Sequence, residues 1–482
     1  MPISIQFTQS YVGGSWKDSR SGKTYEVVDP STAKCIARVS DCDAQDATQA
    51  VDAAHQALNS WQSKTSVERH GLLIKWFQLV QQSADMLAEI MTLESGKPLS
   101  ESYAEVNYAA SYIEWFAEEA KRVYGDVIPA VSPDKKMLVQ RQGVGVCAAI
   151  TPWNFPLAMI TRKAAPALAA GCTMVLKPAE ATPLSALALA DLAGKAGIPA
   201  GVFNVVTASH GVDVGKVFSQ DARIKKLSFT GSTAVGKLLL KQCADTVKRV
   251  SMELGGNAPF IVFNDADIEQ AVAGAIASKY RNTGQTCVCA NRFYVQSGIY
   301  DRFVKALSDA VKSMKVGHGL DEGVVQGPLI NQASFNKIAG LVQDAKQKGA
   351  EVVVGGEPHS LGGLFYQPTI LGNISSDMDI VHQEIFGPVA AISVFEDEAD
   401  VIEKANNTPY GLAAYFYSKD IARVWRVSEA LEYGMVGINE GVISTAMAPF
   451  GGVKESGMGR EGSQYGMDEY LELKYLCMGG LN

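Results

Sequence analysis

Between Asp43 and Gly96 the apolar positions recur three and four residues apart, through "DATQAVDAAHQALNSW" and then "ERHGLLIKWFQLVQQSADMLAEIMTLESG". That period predicts a helix for each run, the second long and closed by Gly96 as its C-cap. A third helical stretch spans 101–122. In the segment that follows, "YGDVIPAVSPDKKMLVQRQ", polar and apolar residues alternate around Pro129 and Pro133, as an exposed hairpin or arm would.

From residue 143 the pattern alternates between two periods. "GVGVCAAITP", "CTMVLKP", "GVFNVV", "IKKLSFTG" and "RVSMELGG" read as strands, separated by the amphipathic runs "PLAMITRKAAPALAAG", "TPLSALALADLAGKAG", "HGVDVGKVFSQ" and "STAVGKLLLKQCA". Five short apolar strands joined by helices imply an α/β fold with a parallel sheet covered on both faces. Such sheets bind ligands at the carboxyl ends of their strands. After "PFIVF" (259–263) a second series begins with a helix that Asp267 caps and that runs to about Asn282. The strand "RFYVQ", two helical runs, and the strands "EVVVGG" and "AAISVF" follow, predicting a second α/β domain. The tail "YLELKYLCMGGLN" reads as a strand able to pair with the 125–142 arm of the same or another subunit.

Length and composition narrow the class. A chain of 482 residues is too long for one small core and implies two or three domains. With 47% hydrophobic and 20% charged residues it reads as a globular protein, and no apolar run reaches the length of a membrane span. The balance of 43 basic and 51 acidic residues, with the basic ones scattered, argues against nucleic acid as a partner. The N-terminal stretch shows neither a signal nor a transit peptide, so a cytoplasmic location is expected. Of eight cysteines only Cys287 and Cys289 form a local pair, and without a second such pair no metal site is expected.

Several turns carry polar groups at strand ends. "GSTAVGKL" (231–238) nearly matches a P-loop, but Leu238 stands where the magnesium-binding hydroxyl must be, which weakens an ATPase reading. The same turn is either a close packing of helix on sheet or a set of N–H groups suited to pyrophosphate. In "LKPAEATP", Lys177 and Glu180 are either a solvated pair or partners for ribose hydroxyls. In "TPWNFP", Asn154 sits between two prolines that stiffen the loop, either as an Asx-turn or as a rigid oxyanion donor. Glu253 of "MELGG" ends an apolar strand, where burial raises a carboxyl pKa toward that of a general base.

Taken in order, "TPWNFP", "LKPAE", "FTGS", "MELGG", "NTGQTC", "EIFGP" and "PFGGVKESGMGRE" resemble the NAD(P)-dependent aldehyde dehydrogenase superfamily across nearly the whole chain. The 34-residue separation of Glu253 and Cys287 agrees with the family pattern. The resemblance implies two Rossmann-like α/β domains with a small β oligomerisation arm. It divides the chain into a cofactor-binding domain (1–122 and 143–253), a catalytic domain (254–445), and an arm and tail (123–142 and 465–482). It makes Cys287 the nucleophile, Asn154 with the Cys287 N–H the oxyanion site, and Glu253 the base that activates water against the thioester. It places Trp153, Lys177, Glu180, Gly231, Ser232 and Leu254 at the cofactor, and Glu384 and Phe386 at the nicotinamide ribose. A homodimer or homotetramer is implied. A carboxylate at 180 favours NAD, with NADP bound less well, because it would repel a 2′-phosphate.

"ITRKAAPALAAG", "KYRNTGQTCVCANR" and "NEGVIS" resemble the succinate-semialdehyde dehydrogenase branch. There Arg162, Arg281 and Ser444 match positions that bind the substrate's far carboxylate. Both arginines could instead pair with protein acids, though two of them matching makes the anchor the better reading. Glutarate semialdehyde, one methylene longer, is the close competitor. A binding protein on an inactive scaffold is disfavoured by the presence of thiol, acid and Asn together. The branch also allows a reversible Cys287–Cys289 disulfide as a redox switch, against the alternative that Cys289 only packs.

Overall fold

A computed structural model describes residues 6–481. Before Asp43, where the periodicity predicts nothing, the chain forms four strands: β1 (Ser10–Val12), β2 (Ser15–Lys17), β3 (Thr24–Asp29) and β4 (Lys34–Ser40). Four helices follow, α1 (Ala44–Gln62), α2 (Ser66–Gln82), α3 (Ala84–Ser95) and α4 (Leu99–Glu119). Capping boxes start the first two, Asp43 with Asp46 and Thr65 with Glu68. The long helix expected up to Gly96 is in fact two, α2 and α3, broken at Ser83 (φ −100°, ψ 17°). Leu73, Trp76, Val80 and Leu87 are buried on both sides of the break, so the apolar spacing runs through it and hides the bend. Gly96 does close α3 in the left-handed conformation, at φ 77°.

The arm is a hairpin of β5 (Asp126–Ile128) and β6 (Lys136–Gly143). Next come β7 (Val146–Ile150), α5 (Ala158–Ala169), β8 (Thr173–Lys177), α6 (Pro183–Lys195), β9 (Phe203–Val205), α7 (Gly211–Gln220), β10 (Ile224–Thr230), α8 (Thr233–Cys243) and β11 (Arg249–Glu253). The expected five parallel strands are present in the order β11-β10-β7-β8-β9, extended by antiparallel β1 and β2 beyond β9. Register decides where chemistry can gather. Ile150 lies opposite Lys177, Phe229 opposite Ile150, and Thr230 opposite Glu253, so four strands end at one edge.

The second series is β12 (Ala258–Val262), α9 (Ile268–Lys279), β13 (Ala290–Gln296), α10 (Tyr300–Lys312), α11 (Gln332–Gln347), β14 (Glu351–Val354), β15 (Thr369–Gly372), α12 (Asp379–His382), β16 (Val389–Phe395), α13 (Glu398–Asn406), β17 (Ala413–Tyr417), α14 (Ile421–Ala430) and β18 (Met435–Ile438). They build a seven-stranded sheet ordered β14-β15-β16-β13-β12-β17-β18. Asp267 caps α9 through Gln270 N–H, as expected. The helix stops at Lys279 rather than near Asn282, because Asn282 and Thr283 turn left-handed at φ 51° and 58°. Strand β19 (Gly457–Met458) joins the first sheet beside β11, which brings the chain after Phe450 back to Glu253. After α15 (Ser463–Asp468), the tail strand β20 (Leu471–Met478) pairs antiparallel with β6 of the same chain.

Candidate active site

The shared edge of the first sheet opens into a cavity of about 240 Å³ whose walls include Asn154, Gly231, Ser232, Glu253 and Cys287. Ser232 caps α8, its Oγ accepting from Val235 N–H at 3.4 Å, and Gly231 N–H donates to the Glu253 carbonyl at 3.0 Å. The N-terminal N–H groups of an eleven-residue helix thus meet the cavity. Thr230 Oγ1, buried beside them, has no hydrogen-bond partner in the protein. Trp153 and Phe386 meet edge to face with ring centroids 5.6 Å apart, and Leu254 completes that wall. Phe386 adopts φ 55°, a conformation a bulky residue holds only where its surroundings impose it. Glu384 accepts from Gly256 N–H at 3.0 Å, and burial pushes its carboxyl up to about 7. Gly256 is needed for a second reason: a Cβ there would sit 2.5 Å from the Cys287 carbonyl.

Lys177 and Glu180 stand apart from this cavity at the end of β8. Lys177 is buried, with its pKa lowered by desolvation, and its Nζ lies 3.6 Å from the Glu180 carboxylate, which is 56% exposed. The pair is therefore neither fully solvated nor closed off.

Cys287 lines two cavities. Burial pushes its thiol up to about 12, with Arg162 the main opposing influence. Glu253 is buried with neither carboxylate oxygen hydrogen-bonded, and burial, then the charge of Glu461, holds its pKa well above the usual range despite Arg162 and Lys163. Burial therefore favours the neutral form of both groups. Asn154, also buried, donates from Nδ2 to the Gln285 carbonyl at 3.0 Å, while its Oδ1 has no partner. A carboxamide has two N–H donors, so one is left to face a ligand.

The second cavity, about 20 Å³, brings Cys287 together with Arg162, Arg281 and Ser444 between Phe155 and Phe450. The two arginines differ. Arg162 is 1% exposed, stacks its guanidinium 4.3 Å from the Phe450 ring centroid, and is ion-paired with Glu461, which also pairs with Lys163. Among the described residues Arg281 has no carboxylate at ion-pair distance, and its guanidinium lies 5.5 Å from the Phe155 ring centroid. The protein-acid alternative therefore holds for Arg162 and not for Arg281.

Cys289 lines neither cavity. It is buried, donates from Sγ to the Lys279 carbonyl at 3.3 Å, and like Cys287 is a free thiol. Three wall or support residues carry no signal in the sequence reading. Ser334 and Lys337 come from α11, where they look like ordinary helix-surface positions, and Glu461 closes a quoted motif without any chemistry of its own being suggested.

The model of the aldehyde dehydrogenase family matches residues 16–476. Succinate-semialdehyde dehydrogenase (NADP(+)) GabD of Escherichia coli (strain K12) is 56% identical over 98% of each chain. Glutarate-semialdehyde dehydrogenase of Pseudomonas aeruginosa is also 56% identical, again over 98% of each. The crystal structure of succinate-semialdehyde dehydrogenase from Burkholderia pseudomallei superposes with a TM-score of 0.97 at 54% identity, covering 98% of each chain. With a family match spanning nearly its whole length, the chain belongs to the aldehyde dehydrogenase family.

Proposed function

We propose that the chain oxidises succinate semialdehyde to succinate, with NAD(P) as the hydride acceptor. The observation that carries this reading is that Cys287 lines both cavities: one runs to the N-terminus of α8, the other holds Arg162, Arg281 and Ser444. A nucleophile between an anion-binding helix end and two guanidinium groups suits an aldehyde with a distal carboxylate.

The residues present fit a dinucleotide. Gly231 shapes the turn that presents the N–H groups of Ser232 and the first turn of α8 to the pyrophosphate, Thr230 Oγ1 supplies an unused polar group nearby, and Trp153, Leu254, Glu384 and Phe386 wall the space beyond. When bound, the nicotinamide supplies the acceptor for the hydride that leaves the aldehyde carbon. Cys287 Sγ gives its proton to solvent water through the open cavity and forms the bond to that carbon, giving a thiohemiacetal. Asn154 Nδ2–H and the Cys287 N–H stabilise the oxygen anion. Loss of hydride leaves a thioester on Cys287. Glu253, as carboxylate, takes a proton from the water that attacks the thioester and releases the acid.

For the cofactor we infer NAD over NADP, because the exposed Glu180 carboxylate would repel a 2′-phosphate. Lys177 Nζ beside it softens that repulsion, so NADP is accepted less well rather than refused. Glutarate semialdehyde is the second reading, supported by the Pseudomonas relative, and one methylene discriminates by only about 1–3 kcal/mol. We also infer a homodimer or homotetramer built through the β5-β6-β20 sheet, where Val127, Leu473 and Tyr475 are exposed apolar residues.

Steady-state assays with C4 and C5 semialdehydes against both cofactors test the reading. The highest kcat/KM is expected for succinate semialdehyde with NAD. A higher value for the C5 aldehyde overturns the substrate. Cys287→Ala is expected to abolish NADH production, and retained turnover overturns the mechanism.

A further inference from the structure

Lys97, Glu101 and Glu105 stand four residues apart, the first just ahead of α4 and the others on its opening turns. That spacing puts Glu101 and Glu105 on one face of α4, with Lys97 just ahead of its N-cap Pro98. All three reach the loops that hold Asn154 and Cys287. Lys97 Nζ is 0% exposed, ion-paired with Glu105, and donates to the Asn154 backbone carbonyl at 2.8 Å. Its ammonium also lies 4.4 Å from the Phe155 ring centroid. Glu105 Oε1 accepts from Leu157 N–H at 2.9 Å and Ala158 N–H at 3.2 Å, fixing the start of α5.

Glu101 acts on the other loop. Its Oε2 accepts from Asn282 N–H at 2.8 Å. Asn282 is left-handed, and its Nδ2 donates to the same Asn154 carbonyl at 2.9 Å and to the Gln285 carbonyl at 3.3 Å. Gln285 is also where the Asn154 side chain is tied. The Asn154 peptide oxygen is thus held by Lys97 on one side and on the other by Asn282, five residues ahead of the thiol.

A buried ion pair adds little net stability over well-packed apolar side chains, so stability alone does not explain a lysine and a glutamate with no exposure. What the pair does supply is direction. A fixed charge on a peptide carbonyl holds that peptide, and hence its side chain, in one orientation.

We propose that Lys97, with Glu105 as its counter-ion and Glu101 bracing Asn282, is a positioning residue that aims the Asn154 carboxamide at the oxygen of the reacting aldehyde. The proposal rests on the oxyanion role given to Asn154 above. It acts through Asn154 and touches no substrate.

A double-mutant cycle separates this from a merely structural role. The full-length enzyme carries Lys97→Met with Glu105→Leu, which removes both charges together and leaves neither buried alone. The pair change is made in the parent and in Asn154→Ala, with kcat and KM for succinate semialdehyde read at saturating NAD. In the parent, kcat is expected to fall about 10- to 100-fold, the scale of a misaimed oxyanion donor, with KM within about twofold. On the Asn154→Ala background the same change is expected to cost less than about threefold. Equal losses on both backgrounds, or a KM rise that matches the fall in kcat, overturn the proposal. If Asn154→Ala alone keeps kcat within twofold, the oxyanion reading itself fails, a distinct result. Should the double variant not fold, Asn282→Gly serves: glycine accepts the left-handed φ and removes only the carboxamide that grips Asn154. It is expected to lower kcat without raising KM, and an unchanged kcat overturns the proposal.

Discussion

The two cavities that meet at Cys287 are built on different principles. The wall toward α8 is largely backbone, with strand ends in register, a glycine turn and a capped helix N-terminus, so its polarity comes from peptide groups that need no particular side chain. The wall toward Arg281 is side chains from distant parts of the chain, and its charge is partly cancelled inside the protein, because Glu461 takes up Arg162 and Lys163. The turn at the start of α8 can bind a charged ligand through peptide groups, while the ionisable side chains of that cavity, Glu253, Glu384 and Lys337, line its other sides. The second wall must hold its cations at the right degree of neutralisation, and single substitutions will therefore be felt more selectively there.

The largest expected effect strikes the junction of the two walls. Glu253→Gln should lower steady-state turnover about 10²- to 10⁴-fold while a first-turnover burst of NADH survives, since hydride transfer precedes the step Glu253 assists. The pH profile gives the sign. A general base must be ionised, and burial with Glu461 nearby raises the Glu253 pKa. The parent is therefore slow at acid pH and gains activity as pH rises through that raised pKa, and the Gln variant should lose this rise. An unchanged slope in the variant would assign the base elsewhere.

The same contrast explains what was legible in the sequence. The parallel strands, the turn at Gly231 and the acid at Glu253 are local features, readable from period and strand ends, and the structure has them where the periodicity puts them. The break at Ser83 was invisible because apolar spacing continues across it. Strand β1 is not readable because its three residues, paired between β9 and β2, leave too short an alternation. Glu461 ends the stretch "PFGGVKESGMGRE", yet its partner Arg162 lies 299 positions earlier, and no local pattern connects them. Lys97 is illegible for the same reason, since its contact at Asn154 is 57 residues away and made to a backbone oxygen.

The arginine wall supplies the next test. Arg281→Ala should raise KM for succinate semialdehyde about 10- to 100-fold, the scale of a lost charged hydrogen bond, and change KM for butanal little. Arg162→Ala should raise it less, because Glu461 already neutralises that guanidinium in part, at Nε. The Arg162 variant should instead melt at lower temperature, as Glu461 and Glu253 lose a buried cation. Equal KM effects from the two substitutions would erase the distinction between them. On the other wall, Glu180→Gln removes one exposed charge and should improve kcat/KM for NADP by only about three- to tenfold, with NAD changed less.

The smallest effect is expected at Cys289. Under reducing conditions Cys289→Ala should match the parent, because the thiol lines neither cavity and only donates to the Lys279 carbonyl. Oxidation is where the two would part. Peroxide converts the Cys287 thiolate to a sulfenic acid, and attack by Cys289 Sγ would form the disulfide and release water, sparing Cys287 from further oxidation. Burial works against that attack, since it raises the Cys289 pKa and so limits the thiolate, with Lys279 the chief influence in the other direction. A dithiol reductant added after a short peroxide exposure should therefore restore the parent and leave Cys289→Ala largely inactive, its Cys287 carried past the reversible stage. If the variant recovers as fully as the parent, Cys289 does no more than fill the space behind the nucleophile's loop, and control of oxidation at this site lies with the access that the two cavities give to Cys287 alone.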